Sequence, residues 1–141
     1  MPKRQASLQD FYERERRLSE TVRVLGCPII PLRQGVLLVP LIGAIDDARS
    51  AQILERVLEG ISTEQAAWVL LDITGVPLVD TYVAAALLRT AQAASLLGAN
   101  LILVGVRPEM AQSIVNLGID LRGVRTQPTL AAALRWLSPQ I

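Results

Sequence analysis

The sequence predicts a single α/β domain, 141 residues long, with a largely parallel sheet. A chain of this length buries one substantial core and is short for two. Hydrophobic residues make up 51% and charged residues 19% of the chain, which is typical of a compact globular protein. After two neighbouring strand-like runs, short apolar runs alternate with amphipathic segments, an order that predicts parallel strands connected by helices. We therefore expect a domain at residues 28–141 and an N-terminal helix or linker at residues 1–27.

Residues 6–25 are polar and favour a helix, and Ser7 with Asp10 resembles a capping box. Apolar residues follow a heptad pattern with Glu15 in one core position: Leu8, Phe11, Leu18, Val22 and Leu25. Two interpretations remain open. The segment is either a coiled-coil or signalling helix that joins the domain to a partner, or a terminal amphipathic helix that folds onto its own domain.

The segment Gly26-Cys27-Pro28 ends that helix, and the strand-like runs at residues 29–32 and 36–42 predict a hairpin. Proline cannot donate a hydrogen bond to a sheet ladder. Pro31 therefore places the first strand at an edge, and Pro40 predicts a bulge or an edge-facing position.

The remaining elements alternate. We predict a helix from Asp46 or Asp47 to about Gly60, with an apolar face and a charged face, and a buried strand at residues 68–73. A second helix then begins near Thr81 and stops at Gly98. The rest follows as a strand at 101–106, a helix opened by a proline at 108–117, a short strand near residue 124 and a helix at 129–137. About four helices thus cover a mixed, mostly parallel sheet.

Composition excludes several classes of protein. The formal net charge of +1 gives no reason to expect nucleic acid or an anionic membrane as a partner. Without histidine and with Cys27 as the single cysteine, neither the usual zinc sites nor a histidine-based catalytic triad can form, and we expect no metal and no cofactor. The sequence has no apolar run long enough for a membrane span and no signal region, so a cytoplasmic protein is expected.

The segment most informative about function is residues 72–81, where a buried strand ends and Asp80-Thr81 begins a helix. A hydroxyl in a first helical turn lies beside unsatisfied N–H groups and the positive end of the helix dipole, where a phosphate is tolerated. Asp and Thr are also preferred capping residues. From the residues alone, capping and phosphorylation both remain open for Thr81.

This segment resembles the phosphorylation loop of the STAS family of anti-sigma factor antagonists, and the likeness extends over residues 28–137. Within that family the sequence resembles the C-terminal domains of RsbR-type stressosome proteins. The stretches that carry the resemblance are LDITGVP (71–77), VDT (79–81), GVRPEMAQS (105–113) and IVNLGI (114–119). Threonine rather than serine at position 81 favours the RsbR type.

The resemblance implies a phosphorylation-regulated binding protein and no enzyme. It implies Thr81 as a site for a serine/threonine switch kinase (RsbT-like), and Ser113 stands where RsbR-type proteins carry a second phosphorylated threonine. The partners it implies are other STAS-domain proteins (RsbS-like and RsbR-like) and the kinase, in a homodimer or a larger oligomer. The residues we expect to contribute to partner binding are Asp46, Asp72, Thr74, Asp80 and Arg107.

The sequence leaves three further questions open. Asp46 is interpreted mainly as a helix cap, Arg107 either clamps an anion or only bonds neighbouring loops, and Ser113 is expected to be at least partly exposed. The alternative functions are a stand-alone anti-sigma factor antagonist and a carrier of a small molecule or lipid. RsbR-type proteins usually carry an N-terminal sensor domain, so either such a domain has been removed or a short protein relies on its N-terminal helix.

Overall fold

The computed structural model describes residues 8–10, 12–14, 26–118 and 123–140. Residues 8–10 and 12–14 are helical, whereas the rest of the predicted heptad segment, including Phe11, Leu18, Val22 and Leu25, lies outside the described residues. The elements that follow are β1 (Ile30–Arg33), β2 (Val36–Ile42), α1 (Asp47–Glu64), β3 (Trp68–Gly75), α2 (Thr81–Leu96), β4 (Asn100–Val104), α3 (Pro108–Asn116), β5 (Arg125–Gln127) and α4 (Leu130–Leu137).

The strands form one sheet in the order β1-β2-β3-β4-β5. β1 and β2 are the predicted antiparallel hairpin, and the other neighbours are parallel. Pro31 lies on the edge strand, as predicted. Pro40 lies beyond Leu38, where the β1 ladder stops, and the register with β3 shifts just after it. Its missing N–H therefore disrupts no bond to β1, which confirms the predicted irregular position.

Side chains alternate between two cores, one on each face of the sheet. Leu37, Val39, Leu71 and Leu103 point to the face covered by α1, α2 and α3, where they pack against residues such as Val57. The opposite face carries Val36, Leu70 and Ile102 against α4. Because β3 and β4 are buried on both faces, residues 68–71 and 101–104 are continuous apolar runs.

Three predicted boundaries differ from the structure by two to four residues: β3 continues past Ile73 to Gly75, and the other two have a local reason. α1 continues past Gly60 to Glu64, because Gly60 is buried where an added Cβ would lie 2.9 Å from Ile29 Cγ2. Its small size thus serves packing and does not end the helix. β4 ends at Val104 because Gly105 takes a φ of +86°, a conformation that interrupts a strand.

Among the described residues, no helix combines the length and the apolar character needed to cross a membrane.

Candidate functional site

The carboxyl ends of β2, β3 and β4 bring three loops together at one edge of the sheet, as parallel strands must. Backbone bonds connect these loops to neighbouring strand ends: the Gly43 N–H donates to Gly75 O, at the end of β3, at 2.9 Å, and the Gly105 N–H donates to Gln127 O, at the end of β5, at 3.0 Å. The edge is therefore a connected surface, and α2 begins from its central loop.

Thr81 is the first residue of α2 and is exposed. The capping role belongs to its neighbour, because Asp80 Oδ1 accepts a hydrogen bond from the Val83 N–H at 2.9 Å. The Asp80 backbone is extended, with a φ of −88°, as an N-cap requires. Of the two roles that the sequence left open, capping is thus performed by Asp80, and the Thr81 hydroxyl lies at the surface of the first turn.

Asp72 and Thr74 form a small hydrogen-bonded unit near the end of β3. The Asp72 carboxylate accepts from both the N–H and the hydroxyl of Thr74. Asp72 is partly buried and lies between Pro40 and Val104 in the sheet. Its carboxylate therefore orders the end of the strand, and a contribution of Asp72 or Thr74 to partner binding stays a prediction.

Arg107 connects the loop after β4 to the end of β3 and the loop that follows it. Its Nη1 donates to Thr74 O at 2.8 Å and its Nη2 donates to Val76 O at 2.9 Å. Its Nε forms an ion pair with Glu109 at 2.8 Å. A hydrogen bond with the backbone at the start of α3 lowers the pKa of the Glu109 carboxyl, and the hydrogen bond with the Arg107 guanidinium lowers it further. These contacts match the loop-bonding alternative for Arg107, and direct binding of an anion or a partner remains untested.

We expect Arg107→Ala to destabilise the protein by about 1–3 kcal/mol, because two loop carbonyls lose a charged hydrogen-bond donor. Urea unfolding measures this loss as a lower midpoint with an unchanged slope.

Arg107→Lys should recover part of the loss, since an ammonium bonds carbonyls but lacks the planar fork of the guanidinium. Glu109→Gln is the matched control, because it removes only the exposed partner of Arg107 and should change stability little. Equal unfolding midpoints for Arg107→Ala and wild type would show that the bridge does not stabilise the loops.

Gly105 lets the same two loops approach each other closely. A Cβ at this position would lie 3.0 Å from Thr74 N and 3.1 Å from Thr74 Cα, and φ is +86°. Glycine therefore meets two separate requirements here, one of backbone conformation and one of space.

Asp46 caps α1, as predicted: its Oδ1 accepts from the Arg49 N–H at 2.8 Å. The side chain of Arg49 donates to Ala44 O at 3.0 Å, so the cap and the preceding loop share one residue. Asp46 is exposed at the same sheet edge as Thr81. A further role of Asp46 in partner binding stays a prediction.

Sequence reasoning missed two residues, Arg49 and Tyr82. Tyr82 follows Thr81, and hydrogen bonding to the Asp47 carboxylate raises the pKa of its hydroxyl. Tyr82 is 41% exposed, and the edge also carries Leu78 at 65% and Ile42 at 72% exposure. The aromatic residue directly after Asp80-Thr81 was the signal in the sequence for an exposed apolar group at this edge.

Ser113 is partly buried on α3, in agreement with the predicted partial exposure. Its helix begins at the Arg107 bridge, but Ser113 itself lies further along the helix. Its phosphorylation remains a prediction.

The described residues form no metal site at this edge, and a shallow groove of about 530 Å³ lies beside Asp46 and Arg49. Within the described segments, no group of three or more cysteine or acidic side chains is arranged to hold a metal ion. A groove of about 300 Å³ is lined by residues including Ala91, Ser95, Ala99 and Asn100, so it lies at the other end of β4. The carrier alternative stays a prediction.

Comparison with known proteins identifies this architecture. The STAS domain family matches residues 28–133. The RsbT co-antagonist protein RsbRA of Bacillus subtilis (strain 168) is 45% identical over 111 residues, which span 79% of this chain and 40% of that protein. The chain thus spans about two fifths of the length of this relative.

Solved structures agree. A single-residue variant of RsbS from Moorella thermoacetica is 27% identical with a TM-score of 0.70, over 81% of this chain and 96% of the other. A chain from the structure described as the molecular architecture of the stressosome is 26% identical with a TM-score of 0.65, over 80% of this chain and 97% of the other. The predicted STAS resemblance is confirmed, and this chain belongs to the STAS domain family.

Proposed function

We propose that this chain is a phosphorylation-regulated protein-binding domain that acts as a stressosome scaffold and co-antagonist, and not as an enzyme. The observation that carries the proposal is the exposed Thr81 in the first turn of α2, beside a cap already supplied by Asp80. The identity of 45% with an RsbT co-antagonist supports the same role.

The proposed partners are other STAS-domain proteins, RsbS-like and RsbR-like, and an RsbT-like serine/threonine switch kinase in the cytoplasm. Their docking surface would be the sheet edge around Thr81, where the exposed side chains of Ile42, Leu78 and Tyr82 supply apolar area. Burying such side chains stabilises a complex, while an added charge among them must be desolvated. A hydroxyl that shares its sheet edge with exposed apolar side chains is therefore well suited to a charge switch.

A phosphate on Thr81 would add about 1.5 to 2 negative charges. The Asp80 carboxylate lies next to it in the chain and already bonds the Val83 N–H. The nearby Arg107 donates to two carbonyls and to Glu109, so its charge is engaged elsewhere. The new charge would therefore act on the docked partner by repulsion and desolvation.

Phosphopeptide mapping after incubation with the switch kinase tests the proposal. We expect modification of Thr81, its loss in Thr81→Ala, and its retention in a Thr63→Ala control, because Thr63 is an exposed threonine on α1. Ser113 is proposed as a second, separate site. An unmodified Thr81, together with full kinase binding by Thr81→Asp, would overturn the proposal.

The mass of the native assembly tests the scaffold role separately. A stressosome component should form a large particle with STAS partners. A monomer or dimer under the same conditions would favour the alternative, a stand-alone anti-sigma factor antagonist that binds an anti-sigma kinase.

A further inference from the structure

Arg49, in the first turn of α1, bonds two distant parts of the chain at once. Its Nη2 donates to Gly26 O at 3.2 Å, and its Nη1 donates to Ala44 O at 3.0 Å. Its own backbone N–H donates to the capping Asp46 carboxylate at 2.8 Å. The segment that precedes β1 therefore shares one side chain with the loop between β2 and α1.

That loop is in turn bonded to the loop that leads to Thr81. Gly43, next to Ala44, donates its N–H to Gly75 O at 2.9 Å. Gly75 is the last residue of β3, from which the chain runs directly into the Thr81 loop. Hydrogen bonds thus connect Gly26 through Arg49 to Ala44, and the adjacent Gly43 to the end of β3.

A second arginine holds the same segment but is far from the loops. Arg56 Nε donates to Cys27 O at 3.2 Å, and the Cys27 side chain is completely buried in the core. Burial raises the pKa of the Cys27 thiol, so this residue acts as a neutral packing group. Arg56 follows Arg49 by two turns of α1, about 10 Å along the helix axis at about 1.5 Å per residue.

We propose that Arg49 couples the segment before β1 to the Thr81 loop, so that displacement of this segment changes the order of the loop. Arg56 and buried Cys27 anchor the segment, while Arg49 connects it to the sheet edge around Thr81. Through this coupling, a structural change in the preceding part of the chain would alter how Thr81 is presented to a kinase. This regulatory role rests on the proposed function of Thr81, whereas the physical coupling does not.

Hydrogen exchange on the full chain measures the coupling without any kinase. The reporter amides are bonded ones at the edge: Gly43 to Gly75 O, Val76 to Ile73 O, Val83 to Asp80 Oδ1 and Ala84 to Asp80 O. Arg56→Ala loosens the anchor without touching these bonds. We expect it to speed exchange at the reporters at least about threefold in the presence of Arg49, and to have no further effect in an Arg49→Ala background.

Arg135→Ala is the matched control, because Arg135 is exposed on α4, the helix on the opposite face of the sheet, and it should leave the reporters unchanged. Arg56→Gln provides a milder loss of the same bond if Arg56→Ala does not fold. Unchanged exchange rates at the reporter amides in the Arg56 variant would overturn the proposed coupling. So would an effect of that variant that persists without Arg49. If the coupling is observed but the kinase does not modify Thr81, only the proposed function is overturned.

Discussion

Thr81→Asp should weaken binding of the RsbT-like switch kinase at least about tenfold, which corresponds to about 1.4 kcal/mol. The substitution places a permanent carboxylate beside Asp80 and among the exposed side chains of Leu78 and Tyr82. A partner that covers this edge must desolvate the added charge, and the described contacts of Arg107 already use that cation for the loops. Surface plasmon resonance with immobilised kinase would measure the change.

Three companion variants separate charge from shape. Thr81→Ala should bind the kinase as wild type does and resist phosphorylation, whereas Thr81→Ser should bind and still accept phosphate. Thr63→Asp adds the same charge at another exposed threonine, near the C-terminal end of α1, so it controls for general electrostatics. If Thr81→Asp and Thr81→Ala bind the kinase equally well, negative charge at position 81 is not the switch.

The parts of the site that sequence could predict are those encoded by neighbouring residues. Asp80 next to Thr81 indicates a helix start, and Pro108 indicates another. The alternation of short apolar runs and amphipathic segments is equally local, and it predicted the sheet with its four covering helices. Each of these features depends on residues within one or two helical turns of each other.

The rest depends on contacts between residues far apart in the chain. Arg107 bonds the carbonyl of Thr74 across 33 positions, and Arg49 bonds that of Gly26 across 23. A backbone carbonyl has no residue type, so no pattern in the sequence marks it as the acceptor. For Arg107 the sequence offered two roles, and the contacts with the loops appear only when both loops are in place.

Gly105→Ala is expected to destabilise the domain by about 2–5 kcal/mol, through two additive causes. A left-handed backbone costs a residue with a Cβ about 1–2 kcal/mol, and Gly105 has a φ of +86°. The added Cβ would also lie 3.0 Å from Thr74 N and 3.1 Å from Thr74 Cα. A backbone cannot rotate away as a side chain can, so this overpacking adds about 1–3 kcal/mol.

Gly98→Ala separates the two causes, because Gly98 has nearly the same backbone angle, a φ of +83°, but no atom within 4 Å of an added Cβ. It should cost only the conformational part, about 1–2 kcal/mol. Urea unfolding of both variants gives the difference, which measures how tightly the loop after β4 is packed against Thr74. Equal losses would show that the loops separate at little cost. A larger loss in Gly105→Ala would show that the edge carrying Thr81 is held rigidly by contact with its neighbouring loop.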